Sequence, residues 1–324
     1  MNARKIAGMA VAAMLLLVAG MAHADTDTFG TGDNQFQIDF VPISKATNPS
    51  SGYGIVANDY RMGTLEIANA QWTKFKAAYG TVTGTPLEAY NTDPYWQGTS
   101  VPTNSVSWYE AAQFVNYLNT ITSNPVAYKF TGTQGNNTTD PYTLATWVAG
   151  DVGYNSANPY RNSKAKYYLL TENEWVKAAY WNGTTSTLQT YATKAGESLT
   201  QGNGTSGTGW NYYNNGYVDP YGPWNVGSGS EELNGTHDMM GNVWEWMESP
   251  YTANDYGTGS NRGLRGGSCD SSDIGNLASS AQGYGIPDVE SGGIGFRVAS
   301  EVPEPATLSL LALGGLAVIR RRRK

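Results

Sequence analysis

Cysteine is nearly missing from this chain: 324 residues hold one, Cys269, within "LRGGSCDSSDIG". A lone thiol excludes an internal disulfide and any metal site built on paired thiolates. Histidine is almost as scarce, at two, and His23 falls within the first 24 residues. Those residues open on Arg4 and Lys5, run apolar through Ala10–Ala19 and close on Ala-His-Ala, the pattern of a secretory signal cut after Ala24. Past that cut His237 stands alone, so one chain cannot supply the two histidines of a facial-triad iron site. Positive charge is thin as well. Seven of the 20 basic residues and one of the 27 acidic ones sit in the two ends, which leaves 13 against 26 in residues 25–301 and a charge of about −13. Such a surface repels phosphate backbones and excludes nucleic acid as a partner. A long apolar run is also lacking, because Ala306–Ile319 is 14 residues and a bilayer span takes about 20.

What is present is glycine, 39 of them, with abundant Asn, Ser and Thr. This composition predicts a loop-rich domain with less regular structure than the usual half. Without disulfides its stability must come from packing or bound ions. No Pro/Ser-rich linker divides 30–300, and 277 residues suffice for one large core, so 25–301 reads as a single domain.

Local signals place several elements. "QFQIDFVPI" alternates Phe36, Ile38 and Phe40 with polar residues and predicts a strand. "NAQWTKFKAAY" predicts a helix capped by Asn69, with Trp72, Phe75 and Tyr79 facing inward. Ser107 with Glu110, and Thr171 with Glu174, form capping boxes. The first opens a helix with Ala111, Phe114, Val115 and Leu118 in one apolar stripe; the second precedes Trp175, Ala178 and Ala179. Residues 120–166 show no period and read as an insertion or surface excursion. A final strand is expected to end at Val298.

The C-terminal order of Pro303-Glu304-Pro305, apolar 306–319, then Arg320–Arg323 and Lys324 resembles the PEP-CTERM sorting tail of Gram-negative bacteria, over 302–324. That resemblance implies an exosortase as partner, transient inner-membrane anchoring through 306–319, and delivery to the outer surface or an extracellular matrix. "YRMGTLEIANAQWTKF" (60–75), "VSWYEAAQFVNYLN" (106–119), "YYLLTENEWVKAA" (167–179), "NYYNNG" (211–216), "DMMGNVWEW" (238–246), "LRGGS" (264–268) and "GIGFRVA" (293–299), in this order, resemble the formylglycine-generating enzyme or sulfatase-modifying factor family. The resemblance implies an α+β fold, glycine-rich and related to C-type lectins.

Function transfers only where the functional residues match. Active members oxidise a substrate cysteine with copper held by two cysteines just past Arg-Gly-Gly-Ser. Here those places read "DSSDIGNLASS", and Cys269 is expected to be a packing residue, so copper is not expected. A Ser-His-Asp triad around His237 has no nucleophile elbow to support it, and "GTHDMMGN" places His237 on a turn. Structural calcium is the cofactor the family resemblance leaves. It implies ligands from Gly241, Asn242, Val243 (through its carbonyl) and Glu245, and from Asn211 and Tyr212 with Asp219 as the nearest acid. The expected function is a non-catalytic, surface-sorted domain that binds or organises extracellular material such as polysaccharide. The candidate ligand-facing residues follow Arg-Gly-Gly-Ser: Asp270, Ser271, Asp273, Asn276, Gln282 and Tyr284. The alternatives are a copper-dependent formylglycine-generating oxidase, or another oxidoreductase of the family.

Overall fold

The computed structural model describes residues 25–303 apart from 215, 219 and 220. The secretory signal, Asp219, Glu304, Pro305 and the apolar tail therefore lie outside the described residues, while Pro303 is exposed at their end. Among the described residues no helix is long and apolar enough to cross a membrane.

The chain opens with strands β1 (Asp25–Phe29), β2 (Phe36–Ile43) and β3 (Tyr60–Gly63), followed by helices α1 (Asn69–Tyr79) and α2 (Trp108–Ile121). A small hairpin of β4 (Lys129–Thr131) and β5 (Thr143–Ala145) comes next, then β6 (Tyr167–Leu169) and helix α3 (Glu172–Tyr180). After the short pair β7 (Trp181–Asn182) and β8 (Thr187–Leu188), no strand or helix forms among the described residues until β9 (Trp244–Pro250). The chain continues with β10 (Arg262–Arg265), β11 (Gly283–Gly285), β12 (Ile294–Gly295) and β13 (Val298–Glu301). One antiparallel sheet runs β1-β2-β3-β13-β6, and a second runs β11-β10-β9-β12 with the last pair parallel. Val298 thus begins the last strand rather than ending it; that strand is the link between β3 and β6.

β2 buries Phe36, Ile38 and Phe40 as its alternation predicts, then buries Val41 next to Phe40, where the period slips. Both capping boxes form: Ser107 Oγ accepts from Glu110 N at 3.1 Å and Glu110 Oε2 from Ser107 N at 3.0 Å. Thr171 and Glu174 repeat the exchange at 3.2 and 2.8 Å. Asn69 does not cap α1. It is the first helical residue, and its Nδ2 donates to the carbonyls of Trp96 and Gly98, tying down a loop; Gln71 Oε1 takes the N–H of Ala68 instead.

α2 is buried on every side from Trp108 to Asn119, not along one stripe. Its polar residues serve the interior: Asn116 exchanges hydrogen bonds with the backbone of Tyr128, and Asn119 Oδ1 accepts from the N–H groups of Lys166 and Tyr167. A buried amide is tolerated because both its ends find partners. The segment 120–166 is therefore partly internal, with Tyr128 and Tyr160 in the protein interior. One apolar cluster extends from Phe29 to Ala299.

Candidate functional site

The turn before β9 depends on backbone that only particular residues allow. Gly241 has φ +91°, and a Cβ there would sit 2.1 Å from the carbonyl oxygen of Asn211, so glycine lets two loops touch. Asn242, at φ 60°, uses its whole side chain as a rivet. Its Oδ1 accepts from Trp224 N at 2.8 Å and Asn211 Nδ2 at 3.1 Å, and its Nδ2 donates to Glu66 Oε2 at 2.6 Å.

Three residues on, Glu245 meets Arg297 in a fully buried ion pair, with contacts of 2.7 to 2.9 Å from Nε and one terminal nitrogen. Trp175 Nε1 also donates to Glu245, at 2.7 Å. The remaining Arg297 donors reach the carbonyls of Gly63, Thr64 and His237. His237 lies not on a turn but on irregular backbone just past the turn at Leu233 and Asn234, with Nδ1 3.2 Å from the carbonyl of Gly229.

At the first expected calcium site the side-chain ligands already have partners within the chain. The carboxylate of Glu245 already faces a guanidinium and an indole N–H, and the Asn242 amide oxygen already has two donors. Val243, expected to contribute its carbonyl, donates its N–H to Glu66 Oε1 at 3.3 Å. At the second site the Tyr212 carbonyl is taken by Gln201, the Asn211 amide nitrogen joins Gly222 to Asn242, and Asp219 is outside the described residues. Among the described residues no group of three or more His, Cys, Asp or Glu side chains is placed to hold a metal.

Cys269 lies next to this centre and its N–H donates to the carbonyl of Asn242 at 2.9 Å. It is 2% exposed, and burial pushes its thiol up to about 12, with Asp270 adding to the rise. Burial thus disfavours the thiolate, the form that attacks or binds metal.

The six residues expected to face a ligand do not converge. Asp270 is exposed and accepts from the Tyr221 hydroxyl at 3.3 Å. Ser271 is buried and its Oγ takes the Ser268 N–H, while Asp273 caps the 3-10 turn Ile274–Leu277 that contains Asn276. Gln282 donates to Glu172, and Tyr284 packs its ring 4.4 Å from Tyr251.

A feature the sequence reading missed lies beside Asp270. Tyr95, Trp96, Tyr221, Tyr217 and Tyr213 form a chain of edge-to-face rings with successive centroid distances of 4.9, 5.3, 4.4 and 4.8 Å. Tyr95 is 70% exposed and Tyr217 and Tyr221 are 52% exposed, so this is a surface ridge rather than core. Its footing is rigid. Trp96 N donates to Asn104 Oδ1, Asn211 Nδ2 holds the carbonyl of Gly222, and a Cβ on Gly222 would enter the Trp96 ring. The available signal was Tyr213, Tyr217 and Tyr221 at four-residue intervals among Gly, Asn and Pro, a setting that forms no helix to bury them.

The family model for the sulfatase-modifying factor enzyme 1-like domain matches residues 4–302, and that for the PEP-CTERM protein-sorting motif matches 301–324. No curated protein matches the chain as a relative. Among solved structures, Treponema denticola variable protein 1 is 21% identical, with 86% of this chain and 99% of that one covered and a TM-score of 0.56. CarF is 19% identical, covering 82% and 99%, with a TM-score of 0.55. PvdO from Pseudomonas aeruginosa is 16% identical, covering 85% and 98%, with a TM-score of 0.51. At such identities the likeness is one of fold.

Proposed function

Because the chain belongs to the sulfatase-modifying factor family, has its α+β fold and ends in a sorting motif that an exosortase recognises, we propose that it is a non-catalytic surface domain that binds extracellular polysaccharide through its aromatic ridge. The motif marks the chain for export and surface sorting in a Gram-negative bacterium. The observation that carries the ligand class is the line of five rings, three of them exposed, with the carboxylate of Asp270 accepting from Tyr221 at its middle. Exposed aromatics present apolar faces to the C–H side of sugar rings, while phenol hydroxyls and a carboxylate accept and donate at the sugar hydroxyls. The non-catalytic part rests on Cys269, which is buried, protonated and without a second thiol.

The test is co-sedimentation of the purified chain with the host's extracellular polysaccharide. Saturable retention that falls by roughly tenfold in Tyr217→Ala with Tyr221→Ala, while the unfolding midpoint stays put, is the expected result. No retention by a folded sample would overturn the ligand class. A copper-dependent aldehyde product on a cysteine peptide would overturn the non-catalytic reading.

A further inference from the structure

The aromatic ridge carries charge of one sign. Asp270 is exposed, and its carboxylate accepts from the Tyr221 hydroxyl at 3.3 Å, at the midpoint of the row of rings. That distance sets a negative charge at the rim of two exposed rings, Tyr221 and Tyr217, whose centroids are 4.4 Å apart. No cation answers it. Among the described residues Asp270 has no ion pair, and the cation–π contacts all fall on rings outside the ridge. The loop that leads into Tyr95 is similar. Glu290 accepts from the Asn91 and Thr92 N–H groups at 3.3 Å, and Lys76, which reaches the same loop, is opposed there by Asp93 at 3.7 Å.

A carboxylate in this place does two opposite things to a hydroxylated ligand. It accepts short, charge-assisted hydrogen bonds from sugar hydroxyls. It also repels a second carboxylate, and like charges brought together without a cation between them weaken binding sharply. The charge of about −13 on residues 25–301 adds the same sign at longer range. The backbone that presents Asp270 is held in place: its N–H donates to Ser268 Oγ at 3.3 Å, and the Cys269 N–H to the Asn242 carbonyl at 2.9 Å.

Resting on the reading of the ridge as a polysaccharide surface, we propose that its ligand is an uncharged polysaccharide and that Asp270 sets this specificity. Asp270 accepts from hydroxyls of a sugar seated on Tyr217 and Tyr221, and it turns away uronate and other carboxylated chains. Selection of this kind sets a repulsive element beside an attractive one, so one residue both holds the right chain and rejects the wrong one.

Three forms of one polymer test this by co-sedimentation with the full chain. They are the neutral fraction of the host's extracellular polysaccharide, the same fraction with its primary hydroxyls oxidised to carboxylates, and the methyl ester of that product. The neutral polymer should be retained, the carboxylated one at least roughly tenfold more weakly at low salt, and the ester should recover most of the loss. The gap should narrow in about 0.5 M salt, because the charges are exposed. Asp270→Asn, with its melting temperature unchanged, should weaken the neutral polymer roughly threefold and strengthen the carboxylated one. A merely structural role would not give these opposite shifts. Equal or tighter retention of the carboxylated polymer, or shifts of the same sign in Asp270→Asn, would overturn the proposal and leave the ridge as a polysaccharide surface. Failure of the folded chain to retain any of the three would overturn the ridge reading as well.

Discussion

Arg297 and Arg161 are both ion-paired, yet their surroundings differ in kind. Arg297 is wholly buried, and Glu245, Trp175 and three backbone carbonyls leave neither partner an open valence. Arg161 keeps 19% of its side chain exposed at the wall of a cleft. A buried ion pair with every hydrogen bond made serves as scaffold, because any ligand would have to break it. A pair beside open volume is still partly solvated, so less depends on each of its contacts. The same distinction separates the Asn242 rivet from the aromatic ridge that it supports.

The contrast predicts its own largest effect. Arg297→Met leaves the Glu245 carboxylate buried and unpaired, and should lower stability by about 3–5 kcal/mol in denaturant titration. Arg161→Met leaves Glu248 buried but still accepting from Tyr128 Oη and Asn158 Nδ2, and should lose less, about 1–2 kcal/mol. Pairing Arg297→Met with Glu245→Gln should restore a good part of the first loss, since the stranded charge is gone. If the two arginine variants melt alike, the division into closed scaffold and open cleft fails.

Proton linkage sharpens the comparison at a smaller scale. The closed centre holds more acid than Arg297 can neutralise: Glu66, Glu232 and Asp238 all have raised pKa values, burial being the leading cause in each. Glu232 is pushed up to about 8 although Arg297 pulls it down, and it accepts from Trp210 Nε1, Thr236 Oγ1 and Met239 N. A carboxyl whose folded pKa is raised holds its proton better when folded. Its stabilising contribution is complete below the unfolded value near pH 4.5 and is lost as pH rises through about 8. Melting temperature should fall between pH 5 and pH 8 by on the order of 5 °C, and Glu232→Gln should flatten that slope. A melting temperature that rises across this window would show that the centre is not acid-rich in the sense described.

How much of this was legible beforehand follows the range of the interactions. The capping boxes at Ser107 and Thr171 span three residues and were readable, as was the alternation in β2. The family motifs drew attention to Glu245 and to Gly-Phe-Arg, but their pairing joins positions 52 apart and was not readable from the sequence. The ridge was hidden because 22 tyrosines in one composition look like core until the backbone shows which ones stand outside. Arg161 and Asn158 were invisible for another reason. They come from the stretch without a period, and only the packing of 155–165 against α3 gives them a cleft to line.

The smallest effect concerns Cys269, where the two kinds of region come closest in the chain. Asp270 is at the surface beside Tyr221, and its neighbour Cys269 belongs to the closed interior through its hydrogen bond to Asn242. The thiol reads which side prevails. If Cys269 is scaffold, iodoacetamide at pH 8 should label it only as fast as the domain opens, and labelling should jump in denaturant. Cys269→Ala should then cost about 1 kcal/mol, the loss of one small buried side chain, and leave polysaccharide retention unchanged. Fast labelling of the folded chain would mean the interior is open at this point. The loop after Arg-Gly-Gly-Ser would then have to be counted with the site rather than with the support beneath it.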